Sequence, residues 1–131
     1  MAVKVIDASA LAALLFAEPM ADEVVESAGT ATLVAPAVVD YEIGTVCWKK
    51  CRRYPQQAAA LRRAFATMGD MRLQLHDVNC AGVLSLAESA GITFYDASYL
   101  WLAQQLGAPL ISLDRRLLDV MRLMPQPNRV G

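Results

Sequence analysis

The stretch Val3-Lys4-Val5-Ile6-Asp7-Ala8-Ser9 decides the fold: a β-rich run ends on an acid, and a helix-forming Ala/Leu run follows at once. Residues 3 to 6 read as a short strand, and Ala8 to Phe16 as a helix bounded by Pro19. Working outward, Met20 to Ala28 forms a second helix, with Asp22, Glu23 and Glu26 on its solvated face and Gly29 ending it. Ala31 to Val34 is the next strand. Pro36 opens a longer helix to about Tyr54, and Pro55 restarts the chain as a helix through about Met68. Arg72 to Leu75 is a third strand, followed by helices from about Asn79 to Ala90 and about Asp96 to Leu106. Pro109 to Leu113 is a fourth strand, and Asp114 to about Leu123 the last helix. The tail from Met124 to Gly131, with Pro125 and Pro127, reads either as an edge strand or as a loose end. Strands alternating with helices predict an α/β sandwich around a mostly parallel sheet of four or five strands, with one domain over residues 1–131.

Composition narrows the class. The 131 residues are 56% hydrophobic and 19% charged, with a formal net charge of -1 from 12 basic and 13 acidic side chains. A chain this apolar is not disordered. Its best membrane candidate, Ala8 to Ala17, stops at Glu18 and Pro19, short of the roughly 18 apolar residues a span needs. Asp7 interrupts any leader-like start, so a cytoplasmic protein without a membrane partner is expected. Cys47, Cys51 and Cys80 are odd in number and read as small hydrophobes rather than a disulfide framework or a zinc set. The abundance of Ala, Leu, Val and Met suggests apolar surface covered by a partner or a second copy.

Ligand crevices in open parallel sheets lie beyond the carboxyl ends of the strands, which gives weight to acids placed there. Asp7 ends the first strand and Asp114 the fourth. Glu42 falls beside Val38, Val39 and Val46 on the helix wheel, an apolar stripe, while Asp40 points away from it. Asp96 begins a helix rich in apolar residues. Capping alone explains Asp7, Asp96 or Asp114 taken singly, and the conjunction with Glu42 is what capping does not explain. Were the four to converge, each pair roughly 5 Å apart would repel by about 3 kcal/mol at an effective dielectric near 20. Protonation or a bound cation must relieve that repulsion, and oxygen-only ligation favours Mg²⁺ or Mn²⁺ over zinc.

Four segments together resemble the PIN domain, and within it the VapC toxins of toxin–antitoxin pairs. They are Val5-Ile6-Asp7-Ala8-Ser9, Pro36 through Glu42, Thr93 through Tyr99, and Ile111 through Arg116. The likeness runs from Val3 to about Leu123. The resemblance implies an α/β/α sandwich and a Mg²⁺- or Mn²⁺-dependent endoribonuclease, with Asp7, Glu42, Asp96 and Asp114 as metal-binding catalytic residues and Ser9 and Ser112 as supporting hydroxyls. It further implies a structured RNA substrate such as tRNA or rRNA, a cognate VapB-type antitoxin, and a homodimer.

The charge distribution agrees with an RNA partner. Seven of the twelve basic groups lie between Lys49 and Arg72, where Asp70 is the only acid. Lys49 and Arg53 fall within about 20° of Glu42 on the helix wheel, so cations line the approach to the carboxylates, and Arg115 adjoins Asp114. His76 reads as structural, and Trp48, Tyr99 and Trp101 as core or interface. A receiver-type signalling domain would need a lysine after a late strand, and none follows Leu110. A phosphatase with an aspartyl nucleophile would favour D-x-D, whereas Ala8 and Ser9 follow Asp7. The remaining alternatives are a PIN-like RNA-processing nuclease without an antitoxin and a non-catalytic module that binds protein or RNA.

Overall fold

A computed structural model describes residues 2–125. The elements in order are β1 (Val3–Ile6), α1 (Ala8–Leu15), α2 (Ala21–Ala28), β2 (Thr32–Pro36), α3 (Val39–Arg53), α4 (Ala58–Ala66), β3 (Gln74–His76), α5 (Cys80–Ala90), α6 (Phe94–Leu106), β4 (Leu110–Ile111) and α7 (Arg115–Leu123). The four strands pair only in parallel, in the order β3-β2-β1-β4, and the seven helices flank them. The tail from residue 126 onward, and with it the choice between an edge strand and a loose end, lies outside the described residues.

The chain moves outward from β1 through α1 and α2 to β2, then through α3 and α4 to β3, and returns through α5 and α6 to β4 on the other side of β1. Right-handed crossovers put the outbound helices on one face of the sheet and the returning pair on the other. The direction reverses between β1 and β4, and at that switch point the loops after the two strands diverge. The packing follows this division: α1 lies against α2 and α3, α3 against α4, and α5 against α6. Ala10, Ala12 and Ala13 are buried on α1, so its backbone lies close to Val5, Ile6 and Val34 of the sheet. Between α5 and α6 the approach is closer still, for a Cβ on Gly82 would stand 2.7 Å from Trp101 Nε1.

Several boundaries depart from the sequence expectation for local reasons. Pro36 does not open a helix. It ends β2, level with His76 of β3, at the last position of the strand, where a missing N–H costs the ladder least. Helix α6 starts at Phe94 rather than Asp96, because the Thr93 hydroxyl accepts the Asp96 N–H at 3.1 Å and takes the cap position. The fourth strand is two residues long instead of five: the Leu113 N–H is drawn off by Ser9 Oγ at 3.0 Å and leaves the ladder.

Candidate active site

Asp7 is the best-anchored of the acids. It follows β1 directly, caps α1 by accepting the Ala10 N–H at 3.0 Å, and is only 5% exposed. The Ser9 hydroxyl donates to its Oδ1 at 2.7 Å, and the Ser112 hydroxyl donates to its Oδ2. Both serines also accept backbone N–H groups from the loop after β4, Ser9 from Leu113 and Ser112 from Asp114, each at 3.0 Å. The two loops at the switch point are therefore stitched together through the Asp7 carboxylate. A carboxylate offers about four acceptor positions, and three on Asp7 are taken, which leaves one on Oδ2.

Asp114 caps α7, its Oδ1 accepting the N–H groups of Arg116 at 3.0 Å and Leu117 at 3.3 Å, and its Oδ2 makes no bond within the described chain. Glu42 lies in the first turn of α3, half-buried, with Oε1 held by the Tyr99 hydroxyl at 2.6 Å. Asp96 sits in the first turn of α6, half-buried. Since Thr93 is the cap, the Asp96 side chain has no capping task, and the alternative explanation of this acid as an N-cap does not hold.

Charge repulsion links the acids in pairs. Burial pushes the Asp7 carboxyl above its ordinary value, against the pull of the Ser112 and Ser9 hydroxyls and the Ala10 amide, and the Asp114 charge adds to the rise. Burial likewise raises Glu42, against the Tyr99 hydroxyl, with the charges of Asp96 and Asp7 adding to it. Tyr99 is itself pushed far up, by burial first and then by its bond to Glu42. Among the described residues the salt bridges are Lys50–Glu18 at 3.6 Å and Arg122–Asp119 at 3.3 Å, so none of the four acids has a paired cation.

Among the described residues no three Asp, Glu, His or Cys side chains are close enough to form a ready-made metal cage. The donor set nonetheless has the chemistry of a hard-cation site: oxygen atoms only, open positions on Asp7 Oδ2, Asp114 Oδ2 and Glu42 Oε2, and mutual repulsion without a neutralising partner. Mg²⁺ retains several waters and takes one or two carboxylates directly, so it does not require a closed cage.

The basic residues lie on open surface. Lys49, Arg53 and Arg115 are exposed, with Arg53 over the Tyr54 ring at 5.5 Å. Trp48, expected in the core or an interface, is 59% exposed with Arg52 stacked over it at 4.9 Å. Tyr99 was expected only as core or interface, and its ring is buried as such. Its hydroxyl is the part the sequence reading misses, although Tyr99 follows Asp96 by three positions and so shares a helix face with it.

Comparison with known proteins identifies the family. The family model described as the PIN domain matches residues 4–123. Ribonuclease VapC3 of Pyrobaculum aerophilum is 27% identical over 128 residues, 94% of this chain and 98% of the relative. Exonuclease VapC9 of the same organism is 37% identical over 78 residues, 60% of this chain and 59% of the relative. The crystal structure of PAE2754, also from Pyrobaculum aerophilum, superposes with a TM-score of 0.73 and 31% identity, covering 91% of this chain and 84% of that one. With the family model covering nearly the whole of it, the chain belongs to the PIN domain family.

Proposed function

We propose that this chain is a divalent-metal-dependent endoribonuclease that hydrolyses RNA phosphodiester bonds as the toxin of a type II toxin–antitoxin pair. The observation that carries the reading is the buried Asp7 carboxylate at the end of β1, held by Ser9, Ser112 and the Ala10 amide with one acceptor position left open, and without a salt-bridged cation among the described residues. The named ribonuclease and exonuclease among its relatives support the choice of a phosphodiester substrate.

Asp7, Glu42, Asp96 and Asp114 would hold the ion, Mg²⁺ or Mn²⁺. When bound, such an ion activates water and offsets charge on the phosphoryl oxygens. The chain's own part is positional. Ser9, Ser112 and the Ala10 amide fix the Asp7 rotamer, and Tyr99 fixes Glu42 through Oε1, leaving Oε2 free to face the ion. Lys49, Arg53 and Arg115 hold phosphates outside the centre without reading sequence. The substrate is tRNA or rRNA, and a VapB-type antitoxin and a second copy of the chain cover exposed apolar surface such as Leu123, 87% exposed. The site of action is the cytoplasm, where the RNA substrate is. No helix among the described residues is long and apolar enough to cross a membrane.

The test is cleavage of labelled RNA by the chain, with and without chelator and with Mg²⁺ or Mn²⁺ restored. Cleavage that persists in chelator sinks the metal-dependent reading. The relative named an exonuclease raises one alternative, attack from an RNA end. A circular RNA separates the two, since only an endonuclease opens it.

A further inference from the structure

The row of residues along the carboxyl edge of the sheet continues past the acids. Extending the parallel register puts Ser112, Asp7, Pro36 and His76 level with one another on β4, β1, β2 and β3. With neighbouring strands about 4.8 Å apart, Pro36 and His76 lie one and two strand widths from Asp7. A cavity of about 300 Å³ opens there, at the lower end of the volumes that enclose small ligands. Pro36, Val38 and Val78 give it apolar walls, Phe94 and Tyr95 bring aromatic rings, and His76 and Asp77 bring polar atoms. Tyr95 is 55% exposed and directly precedes Asp96, while Val38 lies one helical turn before Glu42. The cavity therefore adjoins the first turns of the helices that carry Glu42 and Asp96.

Aromatic rings stack a nucleobase, and polar side chains at the edge of such a slot read the base's hydrogen-bonding groups. The Asp77 carboxylate favours the donors of a base edge and repels a phosphate. On the nuclease reading, which it presupposes, we infer that this cavity is a subsite for one unpaired base of the RNA next to the scissile phosphate, stacked on Tyr95 with Asp77 accepting from a base N–H or amino group. Tyr95 and Asp77 are thus specificity-determining residues, and the RNA lies across the sheet edge from β4 towards β3.

Two readouts keep this inference separable from the nuclease reading. In the first, the Asp7→Asn variant is mixed with a short single-stranded oligoribonucleotide of mixed sequence, and alkylation of Cys80 by a maleimide is followed by peptide mass. Cys80 lines the cavity and is exposed, whereas Cys47 is buried. Bound RNA is expected to slow Cys80 alkylation about tenfold or more. In the second, Tyr95→Ala in the otherwise native chain is expected to raise KM about tenfold or more with little change in kcat, within the range that loss of one base stack produces. It also weakens discrimination among bases beside the cut. Tyr95→Phe restores both, since stacking needs the ring and not the hydroxyl, and Asp77→Asn alters which base is preferred. If the native chain cleaves RNA while Tyr95→Ala keeps KM and preference and Cys80 stays equally reactive, the subsite is overturned and the nuclease stands; a cavity serving a protein side chain gives this result. Protection of Cys80 without cleavage by the native chain removes the nuclease and, with it, the subsite beside a scissile phosphate, leaving a cavity that only binds RNA. Absence of both removes both.

Discussion

Tyr99 donates its hydroxyl to Glu42 Oε1 at 2.6 Å, joining residues 57 positions apart over the carboxyl edge of the sheet. The bond ties α6 to α3, helices that the crossover rule puts on opposite faces of the sheet. Tyr99 is 1% exposed, so water does not replace the lost partner if the hydroxyl is removed. Tyr99→Phe is expected to cost about 1.5–3 kcal/mol, the range for a hydrogen bond to a charged group. It also removes an interaction that lowers the Glu42 pKa, so the acidic limb of the pH–rate profile moves to higher pH. A drop in Tm with the limb unmoved would make Tyr99 a structural residue only.

Asp96→Asn separates capping from chemistry more cleanly than any other single change, because Thr93 already caps α6. Replacing the carboxylate removes repulsion towards Glu42 and a favourable charge at the helix N-terminus, two effects of opposite sign. Stability should change by less than about 1 kcal/mol. Cleavage should fall at least about a hundredfold, the loss of several kcal/mol of charge stabilisation at the phosphoryl group. Retained cleavage in a folded Asp96→Asn variant would exclude Asp96 from the centre.

The comparison of these two residues shows where sequence reading succeeds and where it stops. Asp7 and Asp114 are legible because a strand ends just before each and a helix begins just after, a pattern local to a few residues. Glu42 is legible from helical periodicity alone. Asp96 is legible as a residue near the start of a helix, but the start itself is misplaced by two residues, because Thr93 takes the cap. The bond from Tyr99 to Glu42 and the row Ser112–Asp7–Pro36–His76 are not legible, because both depend on register between segments far apart in the chain. Helix Pro36 to Tyr54 is legible, but its start is not, because β3 pairing extends β2 through Pro36.

Charge reversal on α3 tests the path of the RNA. Lys49 and Arg53 are exposed on the helix that carries Glu42, and neither is salt-bridged among the described residues. The double variant Lys49→Glu with Arg53→Glu should weaken RNA binding and flatten the dependence of log Kd on log salt by about two phosphate contacts, one per cation removed. Binding measured by anisotropy across a salt series checks this. A slope equal to that of the parent chain would take both residues off the substrate path, with Arg52 on Trp48 the next cation to examine.

The acid centre should also make the metal-free protein less stable as pH rises. Asp7 and Glu42 have folded-state pKa values above their ordinary 3.8 and 4.5, so the folded chain holds those protons more tightly than the unfolded chain. Their contribution to stability is complete below the ordinary values and is lost as pH rises through the folded ones. In chelator, the Tm difference between the parent and Glu42→Gln should therefore shift against the parent as pH is raised from 4.5 towards neutrality. Divalent cation binds the ionised carboxylates and reverses the trend, raising Tm most at neutral pH and in proportion to the logarithm of its concentration above Kd. The same titration in Asp96→Asn should give a smaller gain. Equal stabilisation of parent and variant by Mg²⁺ would mean that the ion binds away from Asp96, and a Tm difference in chelator that does not vary with pH would mean that folding does not raise the Glu42 pKa.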